Sequence, residues 1–408
     1  MKILITTQYF YPENFRINDF AFKMAQRGHE VSVLTGTPNY PAGKHFGNYK
    51  TLSCETINGV QVYRVPLIPR GKSRGFELAI NYISFLASAL VFGPILLRKS
   101  NPDIVFSVNY SPATVGLVGA FFSKIKRVPM FLWVQDLWPD SLQATGAVRS
   151  RLALSFVGSM VSWIYGQSAL IFIQSKSFSR YIECQGTIDP EKIKYLPNWA
   201  EDTYDISSSV DVHHCHDLIP RDKFIIMFAG NLGVAQALEN VVRAADLCRD
   251  YPIHWVFLGD GREKDTLHSA VRDFDLEDHV SLLGRYPLED MPHFFELADV
   301  MLVTLKKDPV FSITIPGKIQ SYLKSGKPIL SSLDGEGAIV VVDSGAGVNV
   351  SSGDYVGLAD AAVKLSTLTP EALSEMGNKA KDYYAEVFDV NKLLAQFERD
   401  VKPCKRTN

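Results

Sequence analysis

The stretch IPGKIQSYLKSGKPIL, Ile315–Leu330, decides the fold. Proline lacks the N–H that a helix interior needs, but its fixed φ suits the first helical position, so Pro316 opens a helix. Gly326 closes it, because glycine takes the left-handed conformation of a helix end without steric cost. The apolar run Lys327–Ser331 follows at once, and Val300–Thr304 is a matching run upstream. Strand, helix and strand in that order form a parallel crossover unit.

The same alternation extends in both directions. Upstream lie Lys2–Thr6, Glu30–Leu34, Asp103–Val108, Met130–Val134, Ala169–Gln174 and Lys192–Leu196. Phe224–Ala229, His254–Leu258, His279–Leu283 and Gly347–Val350 complete the second half. Such near-continuous apolar runs mark strands covered by helices on both faces. Between them sit helices such as Arg16–Gly28. The predicted fold class is α/β with two parallel-sheet domains, residues 1–200 and 222–389, a linker over 201–221 and a C-terminal helix and tail over 390–408. The linker carries Ser207–Ser209 and the run His213-His214-Cys215-His216. Adjacent side chains point in different directions and no carboxylate cluster accompanies them, so this run reads as linker and not as a metal site. The amphipathic segment Val390–Val401 either packs back across to the first domain or caps the second.

Composition agrees with a soluble two-core protein: 408 residues, 46% hydrophobic, 21% charged, mean hydropathy +0.01. The apolar strand begins at Lys2 with no cleavage pattern behind it, so no signal peptide is expected. The cysteines (Cys54, Cys184, Cys215, Cys248, Cys404) have no paired spacing, which argues for a reducing cytoplasm and against a disulfide or zinc framework. Charge is uneven. Residues 1–200 carry 21 Lys and Arg against 11 Asp and Glu, and residues 201–408 carry 21 against 33. A basic first half suits an anionic surface or substrate. Phe76–Leu97 is long and apolar enough to span a bilayer, yet spanning would split one sheet across a membrane. A core helix, or one whose apolar face dips into the interface, fits better.

In open parallel sheets ligands bind beyond the carboxyl ends of the strands, beside helix N-termini. After the first strand come Glu13, Asn14 and Arg16; after the second, Asn39 and Tyr40; after the third, Asn109; after the fourth, Gln135, Asp136, Trp138 and Asp140. Ordinary turn and capping chemistry would explain many of these residues equally well. In the second half, Gly230-Asn231 and Gly259-Asp260-Gly261-Arg262 are glycine loops after strands, and Arg285 follows a third. Neither a GxGxxG nor a GxxxxGK[ST] pattern occurs, which disfavours a dinucleotide or P-loop site. Pro316, Gly317 and Lys318 begin a helix whose positive dipole end and added ammonium suit a diphosphate.

Seven segments taken in order carry a resemblance: YFYPENFRINDFA, RGHEVSVLTGTPNYPAGK, WVQDLWPDSL, FAGNLGVAQALENVVRAA, FLGDGREKDTL, LLGRYPLEDMPHFFELADV and PGKIQSYLKSGKPIL. Together they resemble the GT-B bacterial glycosyltransferases of family 4, and among them the L-fucosamine (L-FucNAc) transferases of O-antigen and capsule synthesis. The resemblance implies two Rossmann-like domains facing each other across a cleft, with a C-terminal helix that crosses back. It implies a UDP-sugar donor on the second domain and no metal. The acceptor would be a polyprenyl-diphosphate-linked saccharide on the first domain, at the cytoplasmic face of the inner membrane, with no nucleic acid involved. Donor-binding candidates are then Gly230, Asn231, Gly259, Arg262, Arg285, Ser312, Pro316, Gly317, Lys318, Ser321 and Glu336. Acceptor-binding candidates are Asn14, Arg16, Asn39, Tyr40, Asn109, Gln135 and Trp138.

The chain departs from that pattern. Many members carry two glutamates eight positions apart, where this chain has Ile313, beside Ser312, and Ser321. Many carry an arginine and a lysine after the second domain's first strand, where this chain has Asn231 and Gln236. The diphosphate must lean on Lys318, the helix start and Arg262 or Arg285. Retention is the family's default outcome. Inversion would need a carboxylate base, with Glu13, Asp136 and Asp140 as candidates. A UDP-sugar epimerase of the same fold and a non-enzymatic sugar-binding protein are the alternatives.

Overall fold

The computed structural model describes residues 1–402 except 48, 51, 72–74, 145, 147, 186–187 and 201–217. The histidine run at 213–216, and with it most of the expected linker, lies outside the described residues. In chain order the strands are β1 (Lys2–Thr6), β2 (Glu30–Gly36), β3 (Ser53–Ile57), β4 (Val60–Val65), β5 (Ile104–Asn109), β6 (Met130–Val134), β7 (Leu170–Ile173) and β8 (Ile193–Tyr195). The remainder are β9 (Phe224–Ala229), β10 (Ile253–Leu258), β11 (Val280–Gly284), β12 (Val300–Thr304), β13 (Ile329–Ser332) and β14 (Gly347–Val350). The chain divides into two compact units, Met1–Pro197 with Leu393–Asn408, and Asn198–Lys392.

Among the described residues the first unit has an eight-stranded sheet in the order β3-β4-β2-β1-β5-β6-β7-β8. All its pairs are parallel except β3 with β4. That hairpin is absent from the reading by apolar runs, because β3 is only half buried along its length. Asn58 and Gly59, both at positive φ, make its two-residue turn. The chain order reverses at β1: β2 lies on one side and β5 on the other, joined through Thr6, whose hydroxyl donates to Ser107 Oγ at 3.0 Å. Right-handed crossovers then place Arg16–Gln26 on one face of the sheet and the helices Gly75–Leu96, Val115–Lys126 and Arg151–Gln167 on the opposite face. The C-terminal helix Val390–Asp400 joins the Arg16–Gln26 face. Its Phe397 ring lies 5.0, 4.9 and 5.3 Å from those of Phe20, Phe106 and Phe172. Glu398 accepts from Arg27 and contacts His29, and this pairing holds its carboxyl at a pKa of about 2.

The second unit has a six-stranded parallel sheet among the described residues, ordered β11-β10-β9-β12-β13-β14. Apolar cores fill both faces: Trp255, Phe257 and Phe228 on one, Tyr322, Met301 and Phe295 on the other. Here the order reverses between β9 and β12. The helix Gly317–Ser325 is uncapped by any side chain at Pro316 and ends at Gly326 in the left-handed region, φ 71°. Tyr322 fixes it to the end of β9: its hydroxyl accepts from Ala229 N at 3.0 Å and donates to Ala229 O at 3.2 Å.

Candidate active site

The switch point of the second sheet is built around Lys318. Two backbone-level ties close the loop after β9 onto β12: Thr304 Oγ1 donates to Gln236 O at 2.6 Å and Lys306 N to Ala235 O at 2.8 Å. Gln236 in turn accepts from Lys318 Nζ at 2.7 Å, and that ammonium stands 3.5 Å from the centre of the Phe228 ring. No carboxylate pairs with Lys318 among the described residues. Burial holds its pKa well below the usual lysine value. A cation removed from water and faced only by an amide and a ring gains more from an arriving anion than a solvated lysine does. The first turn of the same helix, uncapped by a side chain at Pro316, adds the N–H groups of Gly317 and Lys318 and the positive end of the helix dipole.

Gly230 and Gly259 keep this point open. Gly230 has φ 138°, and a Cβ there would fall 2.6 Å from Lys318 Cε. Gly259 has φ 147°, and its Cβ would fall 1.8 Å from Gly230 O. Only glycine lets the loops after β9 and β10 lie backbone on backbone beside the ammonium. Gly230 and Asn231 are exposed. Arg262 and Arg285 leave neighbouring strand ends, linked by Gly259 N to Gly284 O at 2.7 Å. Both are exposed and without a hydrogen bond or ion pair among the described residues. Ser321 bonds Gly317 O weakly at 3.5 Å, and Ser312 donates to Pro309 O at 2.7 Å. The Gly335 turn abuts Ser312 O and leads into buried Glu336 at the start of Glu336–Asp343. The expected donor residues thus sit on successive loops at one edge of the sheet.

The first unit gathers its candidates at the carboxyl edge too. Glu13 is buried, and its carboxylate accepts from Asn39 N and Tyr40 N at 2.7 Å each and from Phe10 N at 3.3 Å. It thereby ties the loop after β1 to the loop after β2. Burial raises its pKa to about 7 against the pull of those three N–H groups. Asn39 Oδ1 accepts from Arg70 N at 3.1 Å and from Asn81 at 3.5 Å. Asn81 also accepts from Gln8 at 2.6 Å and donates to Ile68 O at 2.6 Å. Rings cluster at this edge: Tyr9 stacks on Phe15 at 5.0 Å, and Phe15 meets Tyr40 and Tyr110 at 5.2 Å each. Arg70 lies 4.8 Å over Tyr40, and Tyr82 is 6.0 Å from Trp138. Burial also raises the Tyr9 phenol, with Tyr82 and Glu13 adding to it.

Beside Trp138, burial raises Asp136 to a pKa of about 6, opposed by the Ser141 side chain, Leu137 N–H and the Trp138 side chain. Asp140 accepts from Tyr181 and is raised by partial burial. Asn14 is exposed on the β1 loop, and Arg16 follows where Ile17 N donates to Tyr110 Oη at 2.9 Å. Gln135 N donates to Asn109 O at 2.9 Å. Buried acceptor or hydroxyl atoms at this edge without a partner among the described residues include Gln8 Oε1, Tyr9 Oη and Asn109 Oδ1. Such atoms call for a polar ligand or water. Tyr9, Tyr110, Asn81 and Tyr82 were not anticipated. The lone amide Asn81 inside an apolar helix was the available signal for one of them. No group of three or more His, Cys, Asp or Glu side chains converges among the described residues.

Comparison with known proteins adds to the geometry. Residues 14–199 match the Glycosyl transferase 4-like domain and residues 223–367 the Glycosyl transferases group 1 family. WcaI of Escherichia coli (strain K12), a colanic acid biosynthesis glycosyl transferase by name, is 25% identical over 98% of this chain and 100% of its own length. WbjE of Pseudomonas aeruginosa, a glycosyltransferase by name, is 23% identical over 83% of this chain and 81% of its own. Anabaena Alr3699/HepE in complex with UDP and glucose shares the fold at TM-score 0.71 and 16% identity, covering 98% of this chain and 99% of that one. Two parallel-sheet units, an ammonium poised at the second switch point and both domain matches in order lead to one conclusion: the chain is a glycosyltransferase and belongs to the GT-B, family 4 group.

Proposed function

We propose that the enzyme transfers an N-acetylated deoxyamino sugar, L-FucNAc, from its UDP donor to a lipid-linked saccharide in O-antigen or capsule biosynthesis, at the cytoplasmic face of the inner membrane. The observation that carries the donor half is the Lys318 ammonium, desolvated, without a carboxylate and coincident with an uncapped helix start. As the bond from the sugar C1 to the diphosphate breaks, negative charge grows on the leaving oxygen. Preorganised N–H groups and a buried cation stabilise that charge at no reorganisation cost. Position 236, where many family members have a lysine, is here an amide bonded to Lys318, so the positive charge is restored from the helix at nearly the same point. Arg262 and Arg285 reach the outer phosphate or the uridine, and Glu336 and Ser312 the sugar.

We assign the acceptor half to the Glu13–Trp138 edge of the first unit. The aromatic rings there suit sugar faces, and the unpartnered Gln8, Tyr9 and Asn109 atoms suit hydroxyls. Glu13 positions both loops. Glu13 is engaged by three backbone N–H groups, so Asp136, which burial raises to a pKa of about 6, is the base candidate if the outcome is inversion. Colanic acid synthesis in the name of WcaI supports a surface polysaccharide as product.

The test is a panel of UDP-N-acetyl sugars, the L-fuco form included, with a lipid-diphosphate-GlcNAc acceptor. UDP release with the L-fuco donor alone is expected. Release with a different donor would reassign the sugar, and turnover of a UDP-sugar without acceptor would support an epimerase instead.

A further inference from the structure

The first unit carries an apolar face that its own fold leaves uncovered. The helix Gly75–Leu96 turns Asn81, Phe85, Ala89 and Gly93 inward. A Cβ at Gly93 would meet Phe122 and Leu34, so this side is locked into the sheet layer and the helix cannot also cross a bilayer. Its outward side repeats every four residues: Ala79, Ile83, Ala87, Val91 and Ile95 are all exposed, with Phe76 77% exposed at the start. That is an i, i+4 stripe with no polar member.

A second helix extends the stripe. Arg151–Gln167 lies on the same face of the sheet, across Val115–Lys126, whose Lys124 stands 5.2 Å over the Trp163 ring. It exposes Leu152 at 84%, Phe156 at 74% and Trp163 at 45%. The rim is basic. Arg98, Lys99, Lys124, Arg127, Arg149 and Arg151 are all exposed, and Asp and Glu are sparse between residues 75 and 167 (Glu77, Asp103, Asp136 and Asp140). Exposed aromatic and aliphatic side chains ringed by fixed positive charge complement an anionic lipid surface, where rings settle at the headgroup level. The Gly75–Leu96 stripe offers no hydrogen-bonding group and the second helix only the hydroxyls of Ser155 and Ser159, less than the polar pairing a protein partner makes.

We propose that this two-helix face, Phe76 to Ile95 together with Leu152 to Trp163, is a docking surface for an anionic phospholipid bilayer, held in the plane of the membrane. Tyr82 and Trp138 link it to the rim of the acceptor edge, so docking would bring that edge to the lipid surface. The inference rests on the first unit alone and stands or falls separately from the identity of the sugar.

Flotation of the full chain with phosphatidylglycerol-containing vesicles and with phosphatidylcholine vesicles tests it. Binding to the first, weakened by salt, is expected. The variant Arg98→Gln/Lys99→Gln should lose roughly 30-fold in partitioning, from about fivefold per basic charge removed. Ile83→Ser/Leu152→Ser/Phe156→Ser should lose binding to the phosphatidylglycerol vesicles while the unfolding midpoint stays within error, since all three positions are exposed. Four results would overturn the proposal: no binding of the wild type, equal binding of both variants, resistance of the bound protein to alkaline carbonate, or a self-association of the wild type that the serine variant abolishes.

Discussion

Glu13 sets two effects against each other. Three backbone N–H groups favour its carboxylate, and burial favours its neutral acid. Burial wins, and the pKa rises from 4.5 to about 7. At about 1.4 kcal/mol per unit, such a rise is worth roughly 3 kcal/mol. The sign follows from linkage. A carboxyl whose folded pKa is raised supports the fold fully below pH 4.5, and that support is lost as pH climbs to about 7. Glu13→Gln keeps an oxygen for Asn39 N and Tyr40 N, never ionises, and gives up the longer Phe10 bond, worth about 1 kcal/mol. The variant should therefore be the less stable protein near pH 4.5, and the more stable one above pH 7 by about 2 kcal/mol. Urea melts followed by the fluorescence of Trp133 and Trp138 would report this, because both lie on the first unit. A stability difference that does not change with pH, or one that favours the wild type increasingly as pH rises, would refute the dominance of burial.

Three further outcomes follow from the same contacts. Gly230→Ala should weaken UDP binding at least tenfold and destabilise the second unit by about 1–3 kcal/mol, because φ 138° is strained for alanine and its methyl displaces Lys318; calorimetry and melting would show both. Phe397→Ala should cost about 3–5 kcal/mol, seen as early loss of the first unit's fluorescence transition, because the ring is fully buried among three others. Asp136→Asn should abolish any acidic limb near pH 6 in a kcat/KM profile if Asp136 is the base, whereas a retained limb would exclude it.

Much of the fold was readable because parallel strands buried on both faces are written as short apolar runs, and β1, β6, β9 and β12 end where those runs end. The β3–β4 hairpin is written differently: its exposure alternates, so no apolar run marks it, and the Asn58-Gly59 turn is its one strong signal. Strand ends lead to the loops that carry the candidate residues, since switch points follow from chain order. The contacts within those loops do not, because sequence distance hides them. Lys318 and Gln236 are 82 positions apart, and Gln8 and Asn81 are 73. Glu13 looked like a reacting group, yet its neighbours engage it as a loop fastener, which no local pattern records.

The account turns on the second unit's switch point as the seat of a diphosphate. Titration calorimetry of UDP and of uridine against the wild type and Lys318→Met tests this most directly. The account predicts that UDP affinity falls roughly 10- to 100-fold in the variant, the worth of a charged hydrogen bond, while uridine binds both proteins alike. Equal UDP affinity in the two proteins would contradict it.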